Sequence, residues 1–351
     1  MNVYTDIKID GWERVVKCDN EALDMVAYIG VHNIQQGHAL GGCRFWNYDC
    51  DENALSDVLR LSKAMTYKNC LAEVCHGGGK SVISATDGQV LTDDMLRSMG
   101  DFVNYVNKNQ PLYEIAEDVG VACDKLEIIR EVAAMAAPKI AGDPSPITAE
   151  GTFRGIVESW KYISGSSDFS GVHIAVQGVG AVGYELVSRL VDAGFSVTAS
   201  DIKEENLHRV QKDFGIKIVK PEHIYFVPMD IFAPCALYGT VSPWTIEKMS
   251  ATLIAGCANN QLSSLKVSDM LYEKGIFYAP DYVVNAGGVI QVIGIERSDS
   301  SENETYNEAL VDQHLDIIPR NLLKIFNISN NMEKSTQRVA DEMVKERLGL
   351  D

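Results

Sequence analysis

Few short patterns restrict a chain as strongly as glycines at the first, third and sixth positions of a turn that joins a strand to a helix. The β-branched apolar run Val172 to Gln177 is followed at once by Gly178-Val179-Gly180-Ala181-Val182-Gly183, and then by a helical stretch with Val182, Leu186, Val187 and Leu190 on one face. A second strand, Phe195 to Ser200, ends at Asp201. A lone pattern of this kind is weak. Strand before, helix after and an acid about 20 residues on is the context a dinucleotide-binding βαβ unit requires. The glycines permit a tight turn and let a pyrophosphate reach the free N–H groups of the helix N-terminus. Asp201 would accept bonds from both ribose hydroxyls and repel a 2′-phosphate, so the expected cofactor is NAD rather than NADP.

A second constraint lies at Met65 to Lys80, MTYKNCLAEVCHGGGK, where two lysines flank an apolar segment that closes on three glycines. Backbone with so little side-chain cover can lie against a ligand and present an ammonium to it. Most lysines are solvated surface charges. Lys68, however, continues the helical series Leu61, Ala64, Met65 and so falls on the apolar face. The turn read at Gly37 to Arg44 has paired glycines of the same kind and serves either a ligand or a strand-to-strand connection.

The chain has 351 residues, long for one core, and its 46% hydrophobic and 23% charged content is that of a globular protein. No run of about 18 apolar residues occurs and no basic-then-apolar leader begins it, so a cytoplasmic location is expected. A formal charge of −18 repels polyanions, which argues against nucleic acid or an anionic membrane as a partner. Eight cysteines without a CxxC pair point to reduced thiols, and no metal site is read from the spacing.

In order along the chain, extended segments are expected at Glu13 to Lys17 and Met25 to His32. A helix capped by Asp51 or Asn53 runs to about Glu73, and a short strand covers Ser81 to Ser84. Thr92 caps a second helix, a strand spans Leu112 to Ile115, and a helix follows from Asp124 to Ala136. Asp118, just after a strand end and before Gly120, is placed either as a helix cap or as a site carboxylate. The proline-rich segment Ala137 to Pro146 reads as a domain boundary, after which Thr148 caps a helix. Later strands end in the turns around Ala236, Asn259 and Asn285, which serve as turn-formers or meet a ligand beyond the strand ends. The expected organisation is α/β. Residues 1–143 form a mixed-sheet substrate and oligomerisation domain, 144–310 a Rossmann NAD-binding domain, and 311–351 C-terminal helices packing back toward the first domain.

Taken together, these segments resemble the leucine, phenylalanine and valine dehydrogenases within the glutamate-type amino-acid dehydrogenases. The matching motifs are Leu40 to Arg44, Ala64 to Lys68, Gly77 to Lys80, Glu117 to Gly120, Pro144 to Thr148, the glycine fingerprint, Cys257 to Gln261 and Pro280 to Gly288. They occur in order over almost the whole chain. The resemblance implies NAD-dependent oxidative deamination of an L-amino acid to its 2-oxo acid and ammonia, reversible, by a homo-oligomer built through the first domain.

Carried over position by position, the resemblance implies that Lys68 binds the substrate carboxylate, Lys80 is the general base that activates water, and Asp118 shuttles protons to and from the nitrogen. Asp118 is expected closer to that nitrogen than to Lys80, because a carboxylate beside a lysine favours its charged form. Leu40, Ala116, Val289 and Val292 line the side-chain pocket, with Gly41 and Asn259 also at the substrate. Thr148, Asn259, Asn285, Ala236, Asp201 and Ile202 join Gly178, Val179, Gly180, Ala181, Val182 and Gly183 around the cofactor. The pocket set resembles aliphatic, leucine-type members, so a branched-chain substrate (Leu, Val or Ile) is expected. Gly42 to Arg44 and Gln291 are closer to aromatic-type members, which keeps Phe or Trp as the alternative. The family's pattern is broken at His38, where a proline is usual, at Ile115, where a threonine is usual, and by a shorter 137–142 loop. These departures leave a weakly active nucleotide-binding relative as a further alternative.

Overall fold

The computed structural model describes residues 1–138, 142–236, 238–296 and 305–350. The chain divides into two compact units, Met1–Ile140 and Ala141–Asp351. Residues 311–351, expected as a separate set of helices, belong to the second unit.

The first unit contains, in order, β1 (Val3–Asp6), β2 (Arg14–Asn20), β3 (Met25–Asn33), β4 (Ala39–Asn47), α1 (Asp51–Ala72), β5 (Gly77–Ala85), α2 (Asp93–Val106), β6 (Tyr113–Ala116) and α3 (Cys123–Arg130). Its sheet runs β1-β2-β3-β5-β4-β6 and is mixed: β1, β2, β3 and β5 pair antiparallel, whereas β4 is parallel to both β5 and β6. Alternation along each strand sorts its side chains between two layers. Ile29, Cys43, Ile83, Tyr113 and Ile115 point into a core with Met95, Met99, Phe102 and Val103 of α2 and with Ile129 of α3. Tyr28 and Val82 face the other way, onto Ala54 and Val58 of α1. Helix α1 begins after Cys50, one residue ahead of Asp51 and three ahead of Asn53, the expected caps, and carries Asp51 and Glu52 in its first turn, where the helix dipole favours acids. Thr92 caps α2 as expected, accepting from the Met95 N–H.

Two readings of the glycine-rich segments need correction. Gly77, Gly78 and Gly79 are part of β5, not a loop laid against a ligand, and Gly37 to Arg44 runs into β4, an interior strand. Their lack of side chains is used inside the protein. A Cβ on Gly78 would lie 2.1 Å from the Thr66 amide of α1, and one on Gly41 would lie 1.8 Å from the Gly79 carbonyl oxygen. The helix read from Asp124 to Ala136 is α3 and stops at Arg130.

The second unit contains α4 (Ser145–Ser164), β7 (His173–Gln177), α5 (Ala181–Asp192), β8 (Ser196–Ser200), α6 (Glu204–Phe214), β9 (Lys217–Ile218), β10 (Ile231–Pro234), α7 (Pro243–Ile246), β11 (Leu253–Ile254), α8 (Leu265–Glu273), β12 (Phe277–Tyr278), α9 (Asp281–Val284) and α10 (Gly287–Ile290). A two-stranded ribbon, β13 (Ile295–Glu296) and β14 (Thr305–Tyr306), precedes α11 (Glu308–His314), α12 (Ile317–Met332) and α13 (Thr336–Leu348). The six strands β7 to β12 are all parallel and ordered β12-β11-β10-β7-β8-β9, the doubly wound order in which the direction of build reverses between β7 and β10. Phe232, Ile254, Val267, Leu271 and Tyr278 form its core, while α12 packs on α4 and α13 on α8. Thr148 is not a cap. It lies in the first turn of α4, and its N–H donates to the Pro144 carbonyl at 2.9 Å.

Candidate active site

In the first unit, the alternation that sends Cys43 and Ile115 toward α2 turns Leu40, Arg44, Lys80 and Ala116 to the α1 face, the face along which Lys68 is carried by α1 itself. The Lys80 side chain is only 8% exposed, and its ammonium is 2.9 Å from Asp118 Oδ2. Arg44 Nε donates to the same oxygen at 3.2 Å and Arg44 Nη1 donates to Asp57 Oδ2 at 3.0 Å, so the carboxylate is held between two cations. Burial pushes the Asp118 carboxyl up. The charges of Lys80 and Arg44 outweigh that and hold it below the usual carboxylate range. Asp118 closes a tight turn in which its N–H and carbonyl both bond to Val121, which fixes the carboxylate just beyond the end of β6.

Asp118, expected nearer to the reacting nitrogen than to Lys80, is in direct contact with Lys80. A buried ammonium needs a counter-charge, and Asp118 supplies it. Below the pair, the Tyr113 hydroxyl donates to the Gly41 carbonyl at 2.6 Å and lies 3.0 Å from Ser81 Oγ, which pins β4 to β6 and β5. Lys68 and Ala116 are half-buried, and Leu40 is 3% exposed.

In the second unit, the glycine turn carries out three separate tasks. Gly178 has φ +94°, a conformation that disfavours any side chain, and a Cβ there would strike Ala236 beyond β10. Gly183 packs α5 against β7, since a Cβ on it would lie 2.2 Å from the Gly178 carbonyl oxygen, whereas a Cβ on Gly180 would meet nothing within 4 Å. Among the described residues no neighbour requires glycine at 180, so that open position suits a group brought from outside. The N–H groups of Ala181, Val182 and Gly183 open α5. Asp201 Oδ2 accepts from the Val179 N–H at 2.8 Å and Asp201 Oδ1 from the Lys203 N–H at 2.8 Å, which orients the carboxylate over the turn; Ile202 beside it is 79% exposed.

Gly178 and Ala236 thus meet at the point where the strand order reverses, the crevice in which ligands of such sheets bind, and Asp201 reaches the same glycine turn from the end of the neighbouring β8. Asn285 is buried and donates to the carbonyl of Cys257 at 3.1 Å and to Asn259 Oδ1 at 2.9 Å, so two residues singled out in separate turns are one hydrogen-bonded unit. Thr148 Oγ1 lies next to Gly288, 3.2 Å from its ideal Cβ position. Val289 and Val292 are half-buried along α10 and the turn that follows it.

The model of the Glu/Leu/Phe/Val dehydrogenase dimerisation domain matches residues 13–135, and that of the glutamate/leucine/phenylalanine/valine dehydrogenases matches residues 201–347. The chain belongs to this family. It is 38% identical to a leucine dehydrogenase of Thermoactinomyces intermedius over 355 residues, covering 100% of this chain and 94% of that protein. It is 35% identical to an L-tryptophan dehydrogenase of Nostoc punctiforme over 351 residues, covering 99% and 96% of the two chains. The crystal structure of L-tryptophan dehydrogenase from Nostoc punctiforme superposes with a TM-score of 0.81 at 35% identity, covering 97% of this chain and 96% of that one. Members of this family are pyridine-nucleotide-dependent oxidoreductases that act on amino acids.

Sequence reasoning passes over part of the charge system in this family member. Asp57 accepts from Arg44, from the Tyr48 hydroxyl at 2.7 Å and from Arg60 at 2.6 Å, which extends the Lys80–Asp118 pair to α1. Arg44 is visible in its motif, but a motif that reads as a turn gives no sign that its arginine faces α1. Once Ala39–Asn47 is taken as a strand, the period of two puts Leu40 and Arg44 on the same side. Among the described residues no helix is long and apolar enough to cross a membrane.

Proposed function

We propose that the chain catalyses NAD-dependent oxidative deamination of a branched-chain L-amino acid to its 2-oxo acid and ammonia, reversibly, as a cytoplasmic homo-oligomer built through the first unit. The observation that carries the reading is the contact, 2.9 Å, of buried Lys80 with half-buried Asp118, Lys80 being on the sheet face that also bears Leu40 and Ala116. The bound nicotinamide supplies a hydride acceptor for the substrate Cα.

The chain's own residues do the rest. Lys68 anchors the substrate carboxylate. Lys80, having passed its ammonium proton to Asp118, takes the proton of the water that adds at Cα, and Asp118 gives its proton to the departing nitrogen. A direct Lys80–Asp118 contact suits such a relay, since the proton gained by one group has a short route through the other. Asn285, Asn259 and Thr148 hold the nicotinamide end. The open Gly180 position and the N-terminus of α5 receive the pyrophosphate, while Asp201 bonds the ribose and disfavours a 2′-phosphate. Eight free thiols fit a reducing compartment.

The aliphatic preference is supported by the small or branched residues Leu40, Ala116, Val289 and Val292 and by the likeness to leucine dehydrogenases. An aromatic substrate is the second reading, favoured by the likeness in structure to a tryptophan dehydrogenase. A pocket discriminates one methylene by only about 1–3 kcal/mol, so backbone shifts could decide between them. Following NADH absorbance with a panel of L-amino acids, and with NADP in place of NAD, tests the reading. Leu, Val or Ile with NAD should give the highest kcat/KM. A preference for Phe or Trp would overturn the aliphatic assignment alone, a preference for NADP would overturn the role of Asp201, and no turnover with any amino acid would overturn the whole reading.

A further inference from the structure

At the opposite end of the same strands from Asp118, three side chains converge for which the reaction has no use. His38 immediately precedes β4, His76 immediately precedes β5, and Glu114 is the second residue of β6. These are adjacent parallel strands, so their N-terminal ends lie side by side. One ligating atom from each residue can be chosen so that all three lie within 4.8 Å of one another. His38 Nε2 is 2.7 Å from Glu114 Oε2, the two imidazole rings meet edge-on with centroids 4.8 Å apart, and Glu114 is 2% exposed.

The backbone holds this arrangement. The Ala39 N–H donates to the Leu112 carbonyl at 2.8 Å and the Gly77 N–H to the His38 carbonyl at 3.0 Å, locking the three strand starts in register. Gly37, at φ +131°, brings the chain so close to the 75–76 segment that a Cβ would lie 2.5 Å from the Cys75 carbonyl oxygen. The two histidines meet because that residue has no side chain.

We infer that His38, His76 and Glu114 bind a divalent transition-metal ion, with Zn2+ the best fit, at the N-terminal edge of β4, β5 and β6. Two imidazoles and one carboxylate are a familiar donor set for zinc, with metal–ligand bonds of about 2.0–2.2 Å. A tetrahedron with such arms has edges of about 3.4 Å. The donor atoms here, 2.7 Å apart in one pair and within 4.8 Å overall, bracket that edge, so small side-chain rotations suffice to close around an ion. Half-buried His38 and His76 leave a path for its entry, and water completes the coordination.

The ion is structural and not part of the amino-acid chemistry. Lys80 is four strand residues beyond His76, on the order of 13 Å along β5. What the ion does is tie together the three strands that carry Leu40, Lys80 and the approach to Asp118. No short-range spacing announces it, because each ligand comes from a different strand.

Calorimetric titration of ZnCl2 into full-length protein freed of metal by a chelator tests the inference. About one Zn2+ per chain should bind at micromolar concentration or tighter. Glu114→Gln, which keeps the shape and a hydrogen bond to His38, and His76→Ala should each weaken binding by at least about tenfold, with far-ultraviolet circular dichroism unchanged. Cys75→Ser, removing the exposed thiol beside His76, should leave binding as it was. No saturable binding to the wild-type protein, or binding by Glu114→Gln within about twofold of wild type, overturns the site. Loss of binding in Cys75→Ser with retention in His76→Ala overturns it equally, by moving the ion to the thiol. A misfolded His76→Ala leaves the decision to Glu114→Gln.

Discussion

A lysine that is 6% exposed has to be accounted for electrostatically before it is given any chemistry. Asp118 supplies the account for Lys80, and Arg44 shares that carboxylate. The consequence for pH follows from the sign of the Asp118 shift. Its folded-state value lies below its ordinary one, so its contribution to stability is complete above the ordinary carboxylate range and is lost as pH falls through the lower folded value. Asp118 therefore stays ionised throughout the neutral range. Replacing Lys80 with alanine removes the proposed base and leaves the glycine turn of the other unit untouched. Turnover should fall by about two to four orders of magnitude. NADH affinity, read by fluorescence titration, should stay within about threefold of wild type, since the proposed cofactor site draws on β7, α5 and Asp201. A parallel loss of NADH binding would remove the base assignment.

At the scale of elements, the triple glycine is a packing device. Its middle member lies under α1, with the Thr66 amide and Oγ1 both 2.1 Å from a Gly78 Cβ position. A backbone atom cannot swing aside as a flexible side chain does, so Gly78→Ala must push α1 away from β5. The expected cost is about 1–3 kcal/mol, measured as a lowered urea midpoint at unchanged slope. Because Lys68 lies two residues beyond Thr66 on the same helix, KM for the amino acid should rise as well, while an unchanged KM would show that α1 absorbs the shift elsewhere.

The same segment shows what can be read from sequence. The fingerprint at Gly178 to Gly183 is legible because strand, turn, helix and acid are all local, and so is the Thr92 cap. The strand character of Gly77 to Gly79 is not, since their need for close approach comes from Thr66, Tyr113 and Asn33 on other elements. The contact between Lys80 and Asp118, 38 positions apart, and the meeting of His38, His76 and Glu114 on three strands are tertiary facts that no spacing encodes.

On the scale of the whole molecule, each unit has its own sheet and its own apolar core, one built on α2 and β3 to β6 and the other on α8 and β10 to β12. Two cores mean that a ligand of one unit need not stabilise the other, and the proposed site residues divide on the same line. Lys68, Lys80 and Asp118 are in the first unit; the glycine turn, Asp201, Asn259 and Asn285 are in the second. NADH held by the second unit alone should therefore act locally. Present at about a hundred times its dissociation constant, it should stabilise the unit that binds it by about 2.7 kcal/mol against opening. Hydrogen exchange read by mass spectrometry should then slow in β7, the glycine turn, β8 and the 256–261 turn, with little change in β2 to β5. Adding a non-reactive 2-oxo acid analogue with NADH should extend the protection to β5 and to the turn at Asp118, because only then are Lys68, Lys80 and Asp118 engaged. Protection spread evenly over both units with NADH alone would mean that the cofactor orders the first unit by itself, and the division of labour drawn above would fail.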